Sequence, residues 1–173
     1  MSEPKEEPPS TLVALLKLVI FTALVPGSVT FWLPRWIYGS TFHWSAIERG
    51  STAFVGTLLI GLGIGGYLWC ALDFAFRGRG TPAPIDPPKV LVVRGLYRYV
   101  RNPMYVSVLT VLLGESVLLH SWALARYVGV CFIGFFVFVL AYEEPVLREK
   151  FGDSYREYCR TVPRWLPRLQ RRV

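Results

Sequence analysis

Histidine and cysteine are scarce in this chain of 173 residues. It has only His43 and His120, and three cysteines, Cys70, Cys131 and Cys159. The cysteines are far apart and odd in number, and none stands in a CxxC or Cys/His pattern. Neither a zinc site nor a disulfide framework is expected, and no metal. Charge is sparse too, at 18% of residues. No alternation of apolar and polar residues persists over several segments, which argues against a membrane β-barrel. The N-terminal MSEPKEEPPS lacks the basic start of a signal peptide and reads as a disordered tail over residues 1–10.

Apolar sequence is abundant. The chain is 53% hydrophobic and 15% aromatic, with a mean hydropathy of +0.38. Its apolar runs are Thr11 to Leu33, broken by Pro26-Gly27, then Thr52 to Phe76, Pro103 to His120 and Trp122 to Tyr142. About 20 apolar residues cross a hydrocarbon core as a helix. The third run is somewhat short. His120-Ser121 leaves almost no loop, so the third and fourth runs should form a tight hairpin. Backbone in lipid must satisfy its own hydrogen bonds, which favours helices. The expected fold is an all-α integral membrane protein. It has four transmembrane helices, a cytoplasmic loop and a C-terminal cytoplasmic helix. Two N-terminal helices occupy 11–76, and residues 77–173 form the functional core.

Net charge is +7. With four spans, the N-terminal tail, the 77–102 loop and the C-terminal segment share one side and carry 15 of the 19 basic residues. The positive-inside rule makes that side cytoplasmic. Topology and anionic membrane lipids account for the basic balance, and nucleic acid is not required. The GLGIGG stretch follows no strand, so it is not a dinucleotide loop. Gly61 and Gly65, four apart, instead suit close helix packing.

The chemistry-bearing residues gather at the ends of the hairpin. Thr81 to Pro88 reads as extended, Lys89 to Val93 as a short extended piece, and Gly95 as a turn. Asn102 is a good N-cap and Pro103 suits the first helical position. The free N–H groups there could seat an anion, and Arg101 adds a donor fork for a carboxylate. Glu143 and Glu144 end the fourth run. Read alone, they could mark the water boundary, with Arg148 as an ordinary helix partner, and the tyrosines could be an interfacial belt. The hairpin, however, brings Arg101, Asn102 and Tyr105 opposite both carboxylates, offering a gap suited to a zwitterionic ligand with a cationic centre. Glu115 divides evenly between pairing and function; Asp73 reads as solvated and Lys17 as snorkelling.

Three motifs carry a family likeness: RNPMY at Arg101 to Tyr105, EEPVL at Glu143 to Leu147, and FGDSYREYCRTVP at Phe151 to Pro163. Together they resemble the isoprenylcysteine carboxyl methyltransferase family, over roughly Gly78 to Pro167, with phospholipid methyltransferases as more distant kin. The resemblance implies S-adenosyl-L-methionine as cofactor, without a Rossmann sheet. By position, the backbone of Lys89, Val90, Leu91 and Val92, with Tyr97, Asn102, Tyr105 and Glu143, would hold it. Arg101, Pro103 and Glu144 join this set from the reading of the gap. The basic, aromatic C-terminal segment reads as a short cytoplasmic helix followed by VPRWLP, lying on the membrane surface as an anchor, with a lid over the cofactor cleft as the other reading. The family's eukaryotic members have His where Asn102 stands, and a substrate-binding Arg where Val139 stands. A carboxylate acceptor therefore lacks that partner, and a lipid amine, a thiol or another lipophilic acceptor stays open. Phospholipid N-methylation is the alternative activity. A non-catalytic membrane protein with a vestigial site is another reading, against which the intact motifs argue. The residues name no catalytic base and no oligomeric state.

Overall fold

The computed structural model describes residues 11–39, 50–73 and 91–167, with side chains omitted at 11–15 and 38. The tail, the segment around Thr81 to Pro88, and Lys89 and Val90 lie outside them. Every regular element among the described residues is helical.

Pro26-Gly27 does not break the first run. Helix α1 (Thr11–Leu24) passes through a π-helical turn (Ser28–Trp32) into α2 (Leu33–Tyr38), and Gly27 keeps helical angles (φ −64°, ψ −39°). Proline removes a donor and crowds the preceding turn. Hydroxyls along the turn add bonds to nearby carbonyls: Ser28 Oγ donates to Leu24 O at 2.6 Å and Val25 O at 2.8 Å, and Thr30 Oγ1 to Pro26 O at 2.8 Å. This is how lipid-exposed helices accommodate proline.

Helix α3 (Ser51–Asp73) packs most closely on α4 (Pro103–Leu118). The glycine reading of this contact needs correction in its residues. A Cβ on Gly61 or Gly65 would meet nothing within 4 Å. The close approach is at Gly56, Gly63 and Gly66 of α3 and Gly114 of α4. On Gly63 a Cβ would stand 2.7 Å from Ser107 O, and on Gly114 it would stand 2.7 Å from Gly56 O. Glycines facing the neighbouring backbone let two helices touch without side chains between them.

The hairpin forms as expected. His120 takes a positive φ of 47°, and Ser121 Oγ caps the next helix by accepting from Leu124 N at 3.3 Å. That helix, α5 (Trp122–Phe138), does not end at Tyr142. It continues through a π-helical turn (Val139–Glu143) into α6 (Glu144–Thr161). Pro145 again lacks a donor near a π turn, where Glu144 N bonds Val139 O five residues back. The direction changes later, at Gly152 (φ 53°, ψ −124°).

Three helical stretches are long and apolar enough to cross a membrane: Leu16–Ile37, Ser51–Asp73 and Trp122–Thr161. Helix α4, at 16 residues, is about 24 Å long and falls short of the usual core thickness. Large apolar side chains face outward, as in Trp36, Phe54 and Trp122, where lipid is the natural solvent. The chain is an integral membrane protein by these features. Its core joins Leu18, Tyr67, Ala71, Val108 and Leu112, while Tyr155, Tyr158 and Val162 form a smaller cluster at the start of the C-terminal strap.

Candidate functional site

The segment before α4 is anchored at both ends. Leu91 packs on the Tyr155–Tyr158 cluster. Gly95 then takes φ +54°, and a Cβ there would stand 2.5 Å from Asp73 Oδ2 and 2.9 Å from Trp69 Nε1. Only glycine fits both the angle and the contact. The fold-back also buries Asp73 to 7% exposure, so the expectation of a solvated carboxylate fails there. The next turn, Gly95–Arg98, buries Tyr97. Its carbonyl accepts from Tyr158 Oη at 2.7 Å. Burial pushes the Tyr97 phenol well above its ordinary pKa, so it is a neutral hydrogen-bonding group.

Asn102 stands at the N-cap, with Pro103 at the first helical position, but its side chain does not cap. With ψ at 54°, it reaches out of the helix and Nδ2 donates to Arg164 O at 3.1 Å. Arg101 N donates to Pro163 O at 2.9 Å. The strap after α6 is thereby fixed to the start of α4.

The two glutamates part. Tyr105 Oη donates to Glu143 Oε2 at 2.9 Å. Glu144, 3% exposed, turns the other way into three guanidinium groups. Arg101 Nη1 reaches its Oε1 at 3.0 Å, Arg164 binds through two nitrogens at 2.7 and 3.1 Å, and Arg148 reaches Oε2 at 3.1 Å. Burial disfavours the Glu144 charge, yet hydrogen bonds from Arg164 and the fields of Arg101, Arg164 and Arg148 outweigh it, holding the carboxyl below its usual range. The same contacts raise the Arg164 pKa. Arg101 Nη1 also donates to Cys159 Sγ at 2.8 Å. Arg101 Nε is buried without a hydrogen-bond partner among the described residues.

These groups border one cavity. Tyr97, Arg101, Asn102, Tyr105 and Glu143 line it, with Phe21, Val25, Pro26 and Val29 from the first helix, Tyr67 from α3, Met104 and Val108 from α4, and Phe135 from α5. Of the sequence-derived site residues, five therefore share a cavity wall. Glu144 and Pro103 do not line it. Glu144 holds the strap and Pro103 is buried at the helix start. Leu91 faces the strap's cluster, and Val92 does not line the cavity. The first helix and Tyr67 were missed by sequence reasoning. Their one visible signal was a proline and a tyrosine in otherwise apolar runs. Arg164 and Trp165 were missed as partners of the site because a strap's landing place is set by tertiary contacts. Trp165 lands against Phe132 (ring centroids 5.3 Å apart) and Tyr105 (6.4 Å).

Chemically, the cavity offers a guanidinium, a carboxylate, an amide, phenol hydroxyls and aromatic faces beside apolar side chains. That donor set fits a ligand with a carboxylate and positive charge at one end. A membrane-embedded, all-helical protein with a mixed polar and apolar cavity is the class these features define. A family model described as phospholipid methyltransferase matches residues 51–154, and the chain belongs to that family. It is 31% identical over 142 residues to the cobalt-zinc-cadmium resistance protein CzcN of Cupriavidus metallidurans, covering 82% of this chain and 61% of that one. It is 36% identical over 78 residues to the protein-S-isoprenylcysteine O-methyltransferase of Schizosaccharomyces pombe, covering 45% of this chain and 33% of that protein. It is 35% identical over 77 residues to protein-S-isoprenylcysteine O-methyltransferase B of Arabidopsis thaliana, covering 44% and 39%. The chain thus spans about three-fifths or less of the length of these relatives. The resemblance drawn from the three motifs holds.

Proposed function

We propose that the chain is an integral membrane methyltransferase that uses S-adenosyl-L-methionine and acts on a lipophilic or small apolar acceptor. The observation that carries this reading is the single cavity shared by Tyr97, Arg101, Asn102, Tyr105 and Glu143, within the span matched by the family. In this reading the four apolar runs all cross the bilayer, and both termini and the 77–102 loop are cytoplasmic. Membrane lipids surround the helices. Residues 77–173 form the methyltransferase core together with α3, since the family match begins at residue 51.

The cofactor, when bound, supplies an electrophilic methyl group on a sulfonium. The Arg101 guanidinium suits its carboxylate, and Glu143 suits its ammonium or hydroxyls. Tyr97 and Tyr105 present ring faces and phenols, and cation–π contact with a sulfonium contributes about 0.5–2 kcal/mol. The backbone of residues 89–92 belongs to the same proposed set. The remaining contribution of the chain is orientation and exclusion of water. The strap favours both by holding Asn102 and Arg101 in place.

Titration of S-adenosylhomocysteine into the detergent-purified protein tests the reading. Saturable binding is expected, weakened by Glu143→Ala; a folded wild-type protein that does not bind overturns it in favour of a non-catalytic membrane protein. Radiolabelled methyl transfer to total membrane lipid, compared with small thiols, separates phospholipid N-methylation from the main reading. The family description favours keeping that second activity in view.

A further inference from the structure

The FGDSYREYCRTVP motif contains Tyr158, to which the proposed function gives no task. Tyr158 sits on α6, 7% exposed, beyond the family-matched span that ends at residue 154. Its hydroxyl donates to Tyr97 O at 2.7 Å, a buried bond between residues 61 positions apart. The chain's own amides pass that carbonyl over. In a continuing helical turn it would accept from Val100 N or Arg101 N. Val100 N bonds Leu96 O instead, at 3.2 Å, and Arg101 N bonds Pro163 O at 2.9 Å. A buried carbonyl left without a donor is costly, and the Tyr158 hydroxyl meets that need from another element. On its far side the same turn rests on α3. Gly95 presses on Asp73 and Trp69, and the Tyr97 side chain meets the thiol of Cys70, which is fully buried.

We infer that Tyr158 is a positioning residue for cofactor binding: by holding the Tyr97 carbonyl it fixes the Gly95–Arg98 turn, and so keeps the Tyr97 side chain on the cavity wall. The inference rests on the methyltransferase reading above and adds a residue to that same site. Tyr158 does not line the cavity, so it acts through Tyr97. The turn is only four residues long. Its internal bonds, Tyr97 N to Arg94 O and Tyr99 N to Leu96 O, are 3.0 Å each. Such tight turns have poorer hydrogen-bond geometry than an α-helix, and an external clamp sets where this one sits. α6 is a firm base for the clamp. Tyr158 packs with Tyr155 and Val162, the two tyrosine rings having centroids 6.1 Å apart, and Leu91 packs on the same cluster. One packed cluster therefore holds the loop at two points, Leu91 before the turn and Tyr97 within it.

Three variants test this. Tyr158→Phe keeps the ring and removes the donor. Tyr158→para-aminophenylalanine keeps a donor at the same ring position. Phe151→Leu loosens the same cluster and reports what lost packing alone does. Each is compared with the wild type in detergent by unfolding midpoint, S-adenosylhomocysteine affinity and amide hydrogen exchange over residues 95–100. Tyr158→Phe should speed exchange in that segment, leave α3 and α4 protected, and lower affinity roughly fivefold to tenfold, the scale of one buried hydrogen bond. The para-amino variant should restore both. Phe151→Leu should lower the midpoint while affinity stays near the wild-type value. Wild-type affinity in Tyr158→Phe, no rescue by the para-amino variant, or an equal affinity loss in Phe151→Leu at an equal loss of midpoint overturns this inference alone. Should Tyr158→Phe not fold, two other results decide. Weak binding by a folded para-amino variant, or wild-type exchange at 95–100 as fast as in a free peptide, overturns the inference. Absence of binding by the wild type overturns the methyltransferase reading, and the cofactor role of Tyr158 with it.

Discussion

Glu143 and Glu144 are adjacent, yet their side chains meet opposite environments, because successive residues on a helix point about 100° apart. Glu143 meets one phenol at the cavity; Glu144 is enclosed by three guanidiniums. Removing one partner of a buried ion pair costs about 3–5 kcal/mol, because the other is left uncompensated. Glu144→Gln should therefore lower the thermal unfolding midpoint in detergent far more than Glu143→Gln does, whereas Glu143→Gln should chiefly weaken S-adenosylhomocysteine binding. A pH dependence follows with a definite sign. α6 lies beyond the apolar run ending at Tyr142, and the Glu144 carboxyl is held below its ordinary value. Its contribution is fully present above the unfolded carboxyl's pKa, about 4.3, and is lost as pH falls through the lower folded value. The unfolding midpoint of wild-type protein should drop on acidification in that window, and Glu144→Gln should flatten that part of the profile. An unchanged profile would remove Glu144 from the role given to it here.

At the scale of elements, α3 and α4 meet through glycines chosen by direction rather than by motif. Gly63→Ala places a methyl against Ser107 O and Val111 N, both backbone atoms that cannot swing away. The helices must separate, at a cost of about 1–3 kcal/mol. Gly61→Ala meets open space and should be neutral, or stabilising by up to about 1 kcal/mol through helix propensity. Comparing their unfolding midpoints checks the packing direction, and equal destabilisation would refute it. The GLGIGG stretch made tight packing legible but not its face, since four glycines in six residues present themselves all round a helix. The hairpin was legible because His120-Ser121 leaves no room for another connection. The continuity of α5 into α6 was not. Proline at 145 reads as a stop, and the π turn that absorbs it has no sequence signature of its own. The same reason hid the passage of the first helix through Pro26. At the site, RNPMY and EEPVL located the polar wall from sequence, while the apolar wall depended on which side of the first helix faces inward. A helix apolar all round does not disclose that.

Over the whole molecule, the family-matched span is closed by two segments outside it, the first helix and the strap at 162–167. The strap is held by two backbone carbonyls, Pro163 O and Arg164 O, by Trp165 on the α4–α5 hairpin, and by the two-pronged Arg164–Glu144 pair. These contacts converge on Arg101, Asn102 and Tyr105, so strap and cavity should loosen together. Arg164→Lys tests this without removing charge. Lysine is a point donor and cannot reproduce the planar fork, whereas Arg101 and Arg148 still neutralise Glu144. The fold should persist by circular dichroism, with a stability loss of about 1–2 kcal/mol, the scale of a lost charge-assisted hydrogen bond. S-adenosylhomocysteine affinity should fall more than that stability change alone would bring about, because Asn102 loses its fixed acceptor at Arg164 O. Trp165→Ala, which leaves the ion pair intact, should weaken binding in the same direction. If both variants bind S-adenosylhomocysteine as the wild type does, the strap is an anchor only, and the cavity is held by the helices without it.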